Sequence, residues 1–201
     1  MSFSRASGIL LHPTSGRFGI GDLGFQAYRF VDFLVETRQQ LWQILPLGPT
    51  GHGNSPYMSY SAMAGNPLLI SLENVQSQGL LEEDELALTH SFPVATVDYE
   101  AVSAFKLPLL RKAADRFKEL ASDEAKAAFD SFRREQAHWI EDYGLFMAVK
   151  EANGGQSWSD WDTGLARREQ AARNRARVDL AADIFYHEYM QFEFCRQWYE
   201  L

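Results

Sequence analysis

The chain has 201 residues, of which 46% are hydrophobic, 13% aromatic and 23% charged; this is globular composition at ordinary single-domain length. Its formal charge of −8 argues against general nucleic-acid binding, and its lone cysteine, Cys195, cannot form an intrachain disulfide, which points to a reducing compartment. No apolar run approaches the ~18 residues that span a bilayer, and the opening Met1-Ser2-Phe3-Ser4 lacks the ordered regions of a secretory leader.

Gly8-Ile9-Leu10-Leu11 is a short apolar run stopped by His12-Pro13, as expected of a buried parallel strand. A Gly-containing loop follows to Gly24. Ala27, Phe30, Val31 and Leu34 then recur at helical spacing and predict a helix from Phe25 to Glu36. Leu41-Trp42-Gln43-Ile44-Leu45, ended by Pro46, reads as a second strand, so the three elements form a βαβ unit with parallel strands. Residues 47–65 make a loop dense in turn residues, and Pro67-Leu68-Leu69-Ile70-Ser71-Leu72 is a third extended candidate. Beyond Glu73 the pattern is helical. Val102, Phe105, Leu109, Ala113, Phe117 and Leu120 form one stripe, with Asp98 as N-cap and Pro108 predicting a kink or break. Further helical segments are marked by Phe129, Phe132, Trp139 and Ile140 and by residues 145–149, with a stop at Gly154-Gly155. The basic stretch 167–177 leads to a last helix from about Val178.

Several motifs invite a functional interpretation. Gly19-Ile20-Gly21-Asp22-Leu23-Gly24 matches the dinucleotide pattern literally, but seven residues separate it from the strand and no carboxylate follows the second strand. A glycine loop positioning a helix start is the better account. His187-Glu188-Tyr189-Met190-Gln191 lacks the second imidazole of a zinc helix, and the histidines His12, His52, His90, His138 and His187 do not cluster, so no metal is expected. Glu82-Glu83-Asp84-Glu85 suits a solvated helix start. The aromatic residues of 185–199 point around most of their helix and call for burial on more than one face.

The loop Leu47-Gly48-Pro49-Thr50-Gly51-His52-Gly53-Asn54-Ser55-Pro56-Tyr57 follows the C-terminal end of a parallel strand, where α/β folds place ligands. It combines permissive glycines, hydroxyls, an amide and an aromatic ring. Sugars suit that mixture, since their C–H faces stack on rings and their hydroxyls need convergent donors and acceptors.

Arg5-Ala6-Ser7-Gly8-Ile9-Leu10-Leu11-His12-Pro13-Thr14-Ser15 resembles the opening of the 4-α-glucanotransferases (amylomaltase, or disproportionating enzyme). So do Phe18-Gly19-Ile20-Gly21-Asp22-Leu23-Gly24, residues 41–51, Ser55-Pro56-Tyr57, residues 61–67, Glu141-Asp142-Tyr143-Gly144-Leu145-Phe146-Met147-Ala148 and Phe192-Glu193-Phe194-Cys195-Arg196-Gln197-Trp198. The resemblance covers essentially the whole chain, in register. It implies a cytoplasmic enzyme that moves α-1,4-glucan segments between maltooligosaccharides, with no cofactor, no metal, no nucleic-acid partner and no membrane; the oligomeric state stays open. It implies a retaining mechanism with one nucleophilic carboxylate and one acid/base carboxyl group. The implied substrate contacts are Tyr57, which would stack beneath the sugar, Ser55 and Asn54 in the same pocket, and His52 at a secondary contact.

Departures from the family pattern are the short Gly16-Arg17 loop, Asn54 for an Asp, His52 and Met58 for Tyr and Gln, and Asp162 for a proline. The family's catalytic carboxylates lie beyond residue 201, and neither Asp22 nor Asp98 sits in a matching motif. The expected architecture is therefore α/β: the first two strands of a (β/α)8 TIM barrel, incomplete, with a large mainly α-helical insertion. Residues 1–72 would be the first βαβ part with the sugar-site loop, 73–177 the helical insertion, and 178–201 a helix leading toward a third barrel strand. The isolated chain is expected to be catalytically inactive. A non-catalytic glucan-binding module and a nucleotide-binding α/β protein are the other readings.

Overall fold

The computed structural model describes residues 5–13, 16–88 and 91–201, with His52 described in its backbone only. Met1-Ser2-Phe3-Ser4, Thr14-Ser15 and His90 lie outside the described residues.

β1 (Gly8–Leu10) and β2 (Leu41–Gln43) pair in parallel, with Gly8 opposite Leu41 and Leu10 opposite Gln43. Glycine is needed at position 8 because a Cβ there would meet the Leu41 Cβ at 2.6 Å. The crossover is α1 (Phe25–Glu36), at the predicted bounds, and the predicted face is the one turned inward: Ala27 and Leu34 are buried, Phe30 and Val31 half-buried. The Phe30 ring meets the Trp42 ring edge-on at 4.9 Å, which fixes the helix against β2. β2 is two residues shorter than predicted, because Ile44 and Leu45 already turn toward Pro46 and leave the ladder.

The extended candidate at 67–72 is not a strand. Pro67–Leu69 is a 3-10 turn whose first residue is proline, and the Asn66 carboxamide oxygen accepts from Leu68 N at 3.0 Å. The Ser71 hydroxyl then caps α2 (Leu72–Ser77) through Asn74 N. Local capping thus overrides an apolar run that suited a strand equally well.

α3 (Tyr99–Leu120) is capped by Asp98, whose carboxylate accepts from Ala101 N at 3.0 Å, and it continues through Pro108 without a break. Its inward stripe is Val102, Lys106, Leu110, Ala113 and Phe117, whereas Leu120 is 64% exposed. α4 (Asp123–Glu135), α5 (Ala137–Ala152), α6 (Thr163–Ala166), α7 (Gln170–Asp179) and α8 (Ala181–Glu200) complete the described helices. Gly154 and Gly155 both carry positive φ after α5, as predicted for a stop. Val178 belongs to α7, so the last helix begins three residues later than predicted.

The chain divides into two compact units, Met1–Ala113 with Glu193–Leu201, and Ala114–Phe192. The first has a core of Phe18, Ile20, Leu23, Leu69, Ile70, Leu72 and Leu81. In the second, Phe117 packs its ring against Phe129, Tyr189 and Phe192. Every residue from Tyr186 to Phe194 in α8 is buried, which answers the aromatic pattern over that part of the helix, whereas Trp198 and Tyr199 beyond it are exposed. No helix among the described residues is long and apolar enough to cross a membrane.

Candidate functional site

The loop after β2 is held at both ends. Asn66 N donates to Leu47 O at 2.7 Å, and Thr50 and Ser59 form an antiparallel bridge across the loop. Between them, a 3-10 turn over His52–Asn54 uses left-handed backbone at Gly53 (φ 68°) and Asn54 (φ 53°). Asparagine tolerates that region better than most residues, and Gly53 has open space around it. Met58 N then donates to Ser55 O at 3.1 Å and closes a second turn. These bonds brace a loop on which Tyr57 is 71% exposed.

The candidate residues fall into three groups. Ser55 and Tyr57 are joined, since the Ser55 hydroxyl accepts from Tyr57 N at 3.3 Å. Asn54 lines a cavity of about 170 Å³ together with His12, Thr50, Pro56, Asn66 and Tyr99. Neither Ser55 nor Tyr57 lines it. The His52 side chain lies outside the described residues.

His12 is the feature missed by sequence reasoning, which treated it as the end of a strand and as one of five histidines that do not cluster. A titratable residue at the C-terminal end of a parallel strand was the available signal. Its Nδ1 is buried with no hydrogen-bond partner, and burial lowers its pKa below the usual histidine range. His12 also lines a second cavity of about 360 Å³ with Arg17, Asp22, Phe25, Trp42 and Glu73.

The other motifs are structural. In the glycine motif, a Cβ on Gly21 would overlap Pro13, one on Gly24 would overlap Ser71, and Gly19 has φ 80°. Asp22 accepts from Gly24 N at 3.1 Å at the start of α1, and its other oxygen is 3.9 Å from the Lys106 ammonium. Asp98 is engaged as a cap. Both acidic residues considered for chemistry therefore hold backbone in place. His187 Nε2 lies 3.1 Å from Glu151, Glu188 pairs with Arg133 at 2.8 Å, and no group of metal ligands occurs among the described residues. In the acidic run, Glu85 pairs with Lys112 at 2.6 Å.

Comparison with known proteins gives this geometry a context. The family described as 4-alpha-glucanotransferase matches residues 11–201. The 4-alpha-glucanotransferase of Thermus thermophilus is 46% identical over 200 residues, covering 98% of this chain and 39% of its own length. The chloroplastic/amyloplastic 4-alpha-glucanotransferase of Solanum tuberosum is 43% identical over 206 residues, covering 96% and 34%. Among solved structures, the amylomaltase from Streptococcus agalactiae in complex with acarbose superposes with TM-score 0.91 at 42% identity, covering 98% of this chain and 40% of that one. The chain thus spans about two fifths of the length of the Thermus relative it matches. With near-complete coverage of its own residues by one family, this chain belongs to the 4-alpha-glucanotransferase family.

Proposed function

We propose that the chain is the N-terminal portion of a 4-α-glucanotransferase that transfers α-1,4-glucan segments between maltooligosaccharides. The observation that carries this is the 42% identity and TM-score of 0.91 over 98% of the chain with an amylomaltase solved in complex with acarbose. The Tyr57 loop supports it: an exposed ring and a hydroxyl on a braced loop beside a cavity walled by Asn54 and Thr50 suit a saccharide's apolar face and hydroxyl rim. In this assignment Tyr57 stacks beneath a sugar ring, Ser55 and Asn54 contact the same ligand, and His52 makes a secondary contact. β1, α1 and β2 are the first two strands and crossover of a (β/α)8 barrel. Residues 1–72 carry that part, 73–177 a helical insertion, and 178–201 the return toward a third strand. The lone Cys195 suits a cytoplasmic setting.

A retaining transfer needs a nucleophilic carboxylate and an acid/base carboxyl group flanking the scissile bond. Here Asp22 and Asp98 are spent on backbone and ion-pair contacts, so this chain supplies binding surface and not the reacting groups. Transfer outruns hydrolysis when a sugar hydroxyl occupies the place water would take.

The test has two arms. The 201-residue chain is incubated with maltotriose, and glucose and longer oligosaccharides are sought; none is expected, and clear turnover would overturn the assignment of chemistry to residues outside this chain. The chain is then joined to the remaining three fifths or so of the Thermus relative, where transfer is expected. A folded joined protein without transfer removes the functional proposal.

A further inference from the structure

Trp158 is the most exposed of the five tryptophans, at 58%. It opens a 3-10 turn over Trp158–Asp160 that follows α5 in the second unit. The turn is anchored on both sides. Before it, the Lys150 ammonium donates to Gly155 O at 2.6 Å, and Gly155 N donates to Lys150 O at 2.8 Å. After it, the Trp161 ring packs on Phe146 at 5.4 Å, and its indole N–H donates to Gln156 O at 3.3 Å. Within it, Asp160 N donates to Ser157 O at 2.9 Å. Two tryptophans three residues apart are thus used differently. Trp161 packs against the core of Leu145, Val149 and Ala176, whereas the Trp158 ring is left largely to solvent on a fixed turn. Tryptophan offers a large apolar face and one N–H donor, and it is enriched at binding surfaces for that reason.

The surroundings of the ring select the kind of ligand. Gly154-Gly155-Gln156-Ser157-Trp158-Ser159-Asp160 are all exposed, and none but Trp158 has an apolar side chain. A protein partner's core needs a contiguous apolar patch, and one ring in a polar run does not supply it. A saccharide needs what is present: a flat ring for its C–H face, with hydroxyl, carboxamide and carboxylate groups for its hydroxyl rim. The Ser159 hydroxyl donates to Ser157 Oγ at 2.9 Å, so the two hydroxyls are held together beside the ring. This is the mixture of the Tyr57 loop, reached by an unrelated segment.

We propose that Trp158 is the centre of a second saccharide site, an open surface platform on which a glucosyl unit of a long α-1,4-glucan stacks, with Gln156, Ser157, Ser159 and Asp160 taking its hydroxyls. This rests on the assignment of the chain to glucan transfer and adds to it a contact in the unit that does not hold the Tyr57 loop. An open platform has no wall to exclude the next sugar. It therefore grips a polymer at any of its many equivalent units and a trisaccharide only weakly.

The experiment runs the 201-residue chain through native gels cast with increasing soluble amylose. Retardation is expected for the parent and for Tyr57→Ala. In Trp158→Ala the dissociation constant read from the retardation is expected to rise about fivefold, and Trp158→Phe, which keeps a ring, to recover most of that loss. Circular dichroism melts of the Trp158 variants should match the parent, since the position is exposed. In the Tyr57→Ala background, amylose should shift the tryptophan emission, and the shift should vanish when Trp158→Phe is added. Equal retardation of the parent and Trp158→Ala overturns the proposal, as does a parent that amylose does not retard or an emission shift that survives Trp158→Phe. The joined protein separates this from the wider assignment. There Trp158→Ala should raise KM for amylose about fivefold and leave kcat and the KM for maltotriose unchanged. An unchanged KM for amylose removes the platform and leaves glucan transfer standing. No transfer in the unmutated joined protein removes glucan transfer, and the gels then judge Trp158 by themselves.

Discussion

Lys106 occupies a position on α3 where an apolar residue would be expected, and it is fully buried. Its ammonium donates to Leu68 O at 2.7 Å and faces the Asp22 carboxylate at 3.9 Å. Burial outweighs the pull of Asp22 and Glu73 and lowers its pKa to about 8, while burial raises that of Asp22. Between about 8 and 10.5 the unfolded chain binds a proton at this lysine that the folded chain has released, so stability contributed here rises with pH across that window. Denaturant unfolding of the parent and of Lys106→Met should therefore diverge from pH 7.5 to 10, the parent gaining up to about 3 kcal/mol over the variant. Parallel pH profiles would show that Lys106 does not titrate there. Tyr57 is the opposite case, an exposed ring that the fold does not use. Tyr57→Ala is expected to abolish most maltotriose binding by calorimetry and to change stability by no more than about 0.5 kcal/mol; a large loss of melting temperature would give the ring a structural role instead.

Among the elements, the C-terminal turn of α8 is tied to the start of α2 by one side chain. Gln197 accepts from Ser71 N at 2.7 Å and donates to Ser71 O at 3.2 Å and to the Glu193 carboxylate at 2.7 Å. Glu193 in turn accepts from Gln78 at 3.0 Å and Arg196 at 2.8 Å. Gln197→Leu keeps the volume but orphans buried backbone groups at Ser71, at an expected loss of about 3 kcal/mol in urea unfolding. A loss under about 0.5 kcal/mol would mean that water replaces the carboxamide. α1 was legible to the residue, because Ala27, Phe30, Val31 and Leu34 state both its period and its buried face. Gln197 and Lys106 were not, since a polar residue in a helical pattern reads as solvent-facing until its partner, distant in sequence, is known. Residues 67–72 misled for another reason: six largely apolar residues fit a strand or a buried turn, and only Asn66 and Ser71 acting as caps decide. The candidate loop was legible from its turn chemistry and its place after β2. His12 was not, since period and composition say nothing about whether an imidazole nitrogen is paired.

At the scale of the whole molecule, the two strands expose more than they bury. Leu10, Leu11, Phe25, Phe33, Val35 and Leu41 are all exposed, and each strand has one edge without a neighbour among the described residues. Two strands of three residues are a marginal sheet by themselves. An apolar dye should therefore brighten on the native chain, and sedimentation should show concentration-dependent association. A monomer that binds no dye at any concentration would mean that this surface rearranges to cover itself.

The register of Gly8 on Leu41 also sets an order of events during synthesis. The strand pair closes through α1 alone, so every residue it needs has been made once Gln43 has left the ribosome. The Gln197 clasp joins positions 126 apart and must wait until residue 197 has been made. A nascent chain arrested after the Tyr57 loop has emerged should already protect the amides that cross from β2 to β1, and unprotected amides would show that α3 and α8 are needed first. If the order holds, the loop that carries Tyr57 is anchored at its β2 end from early in translation, and Ser71, beyond its far end, is held by Gln197 only when α8 arrives.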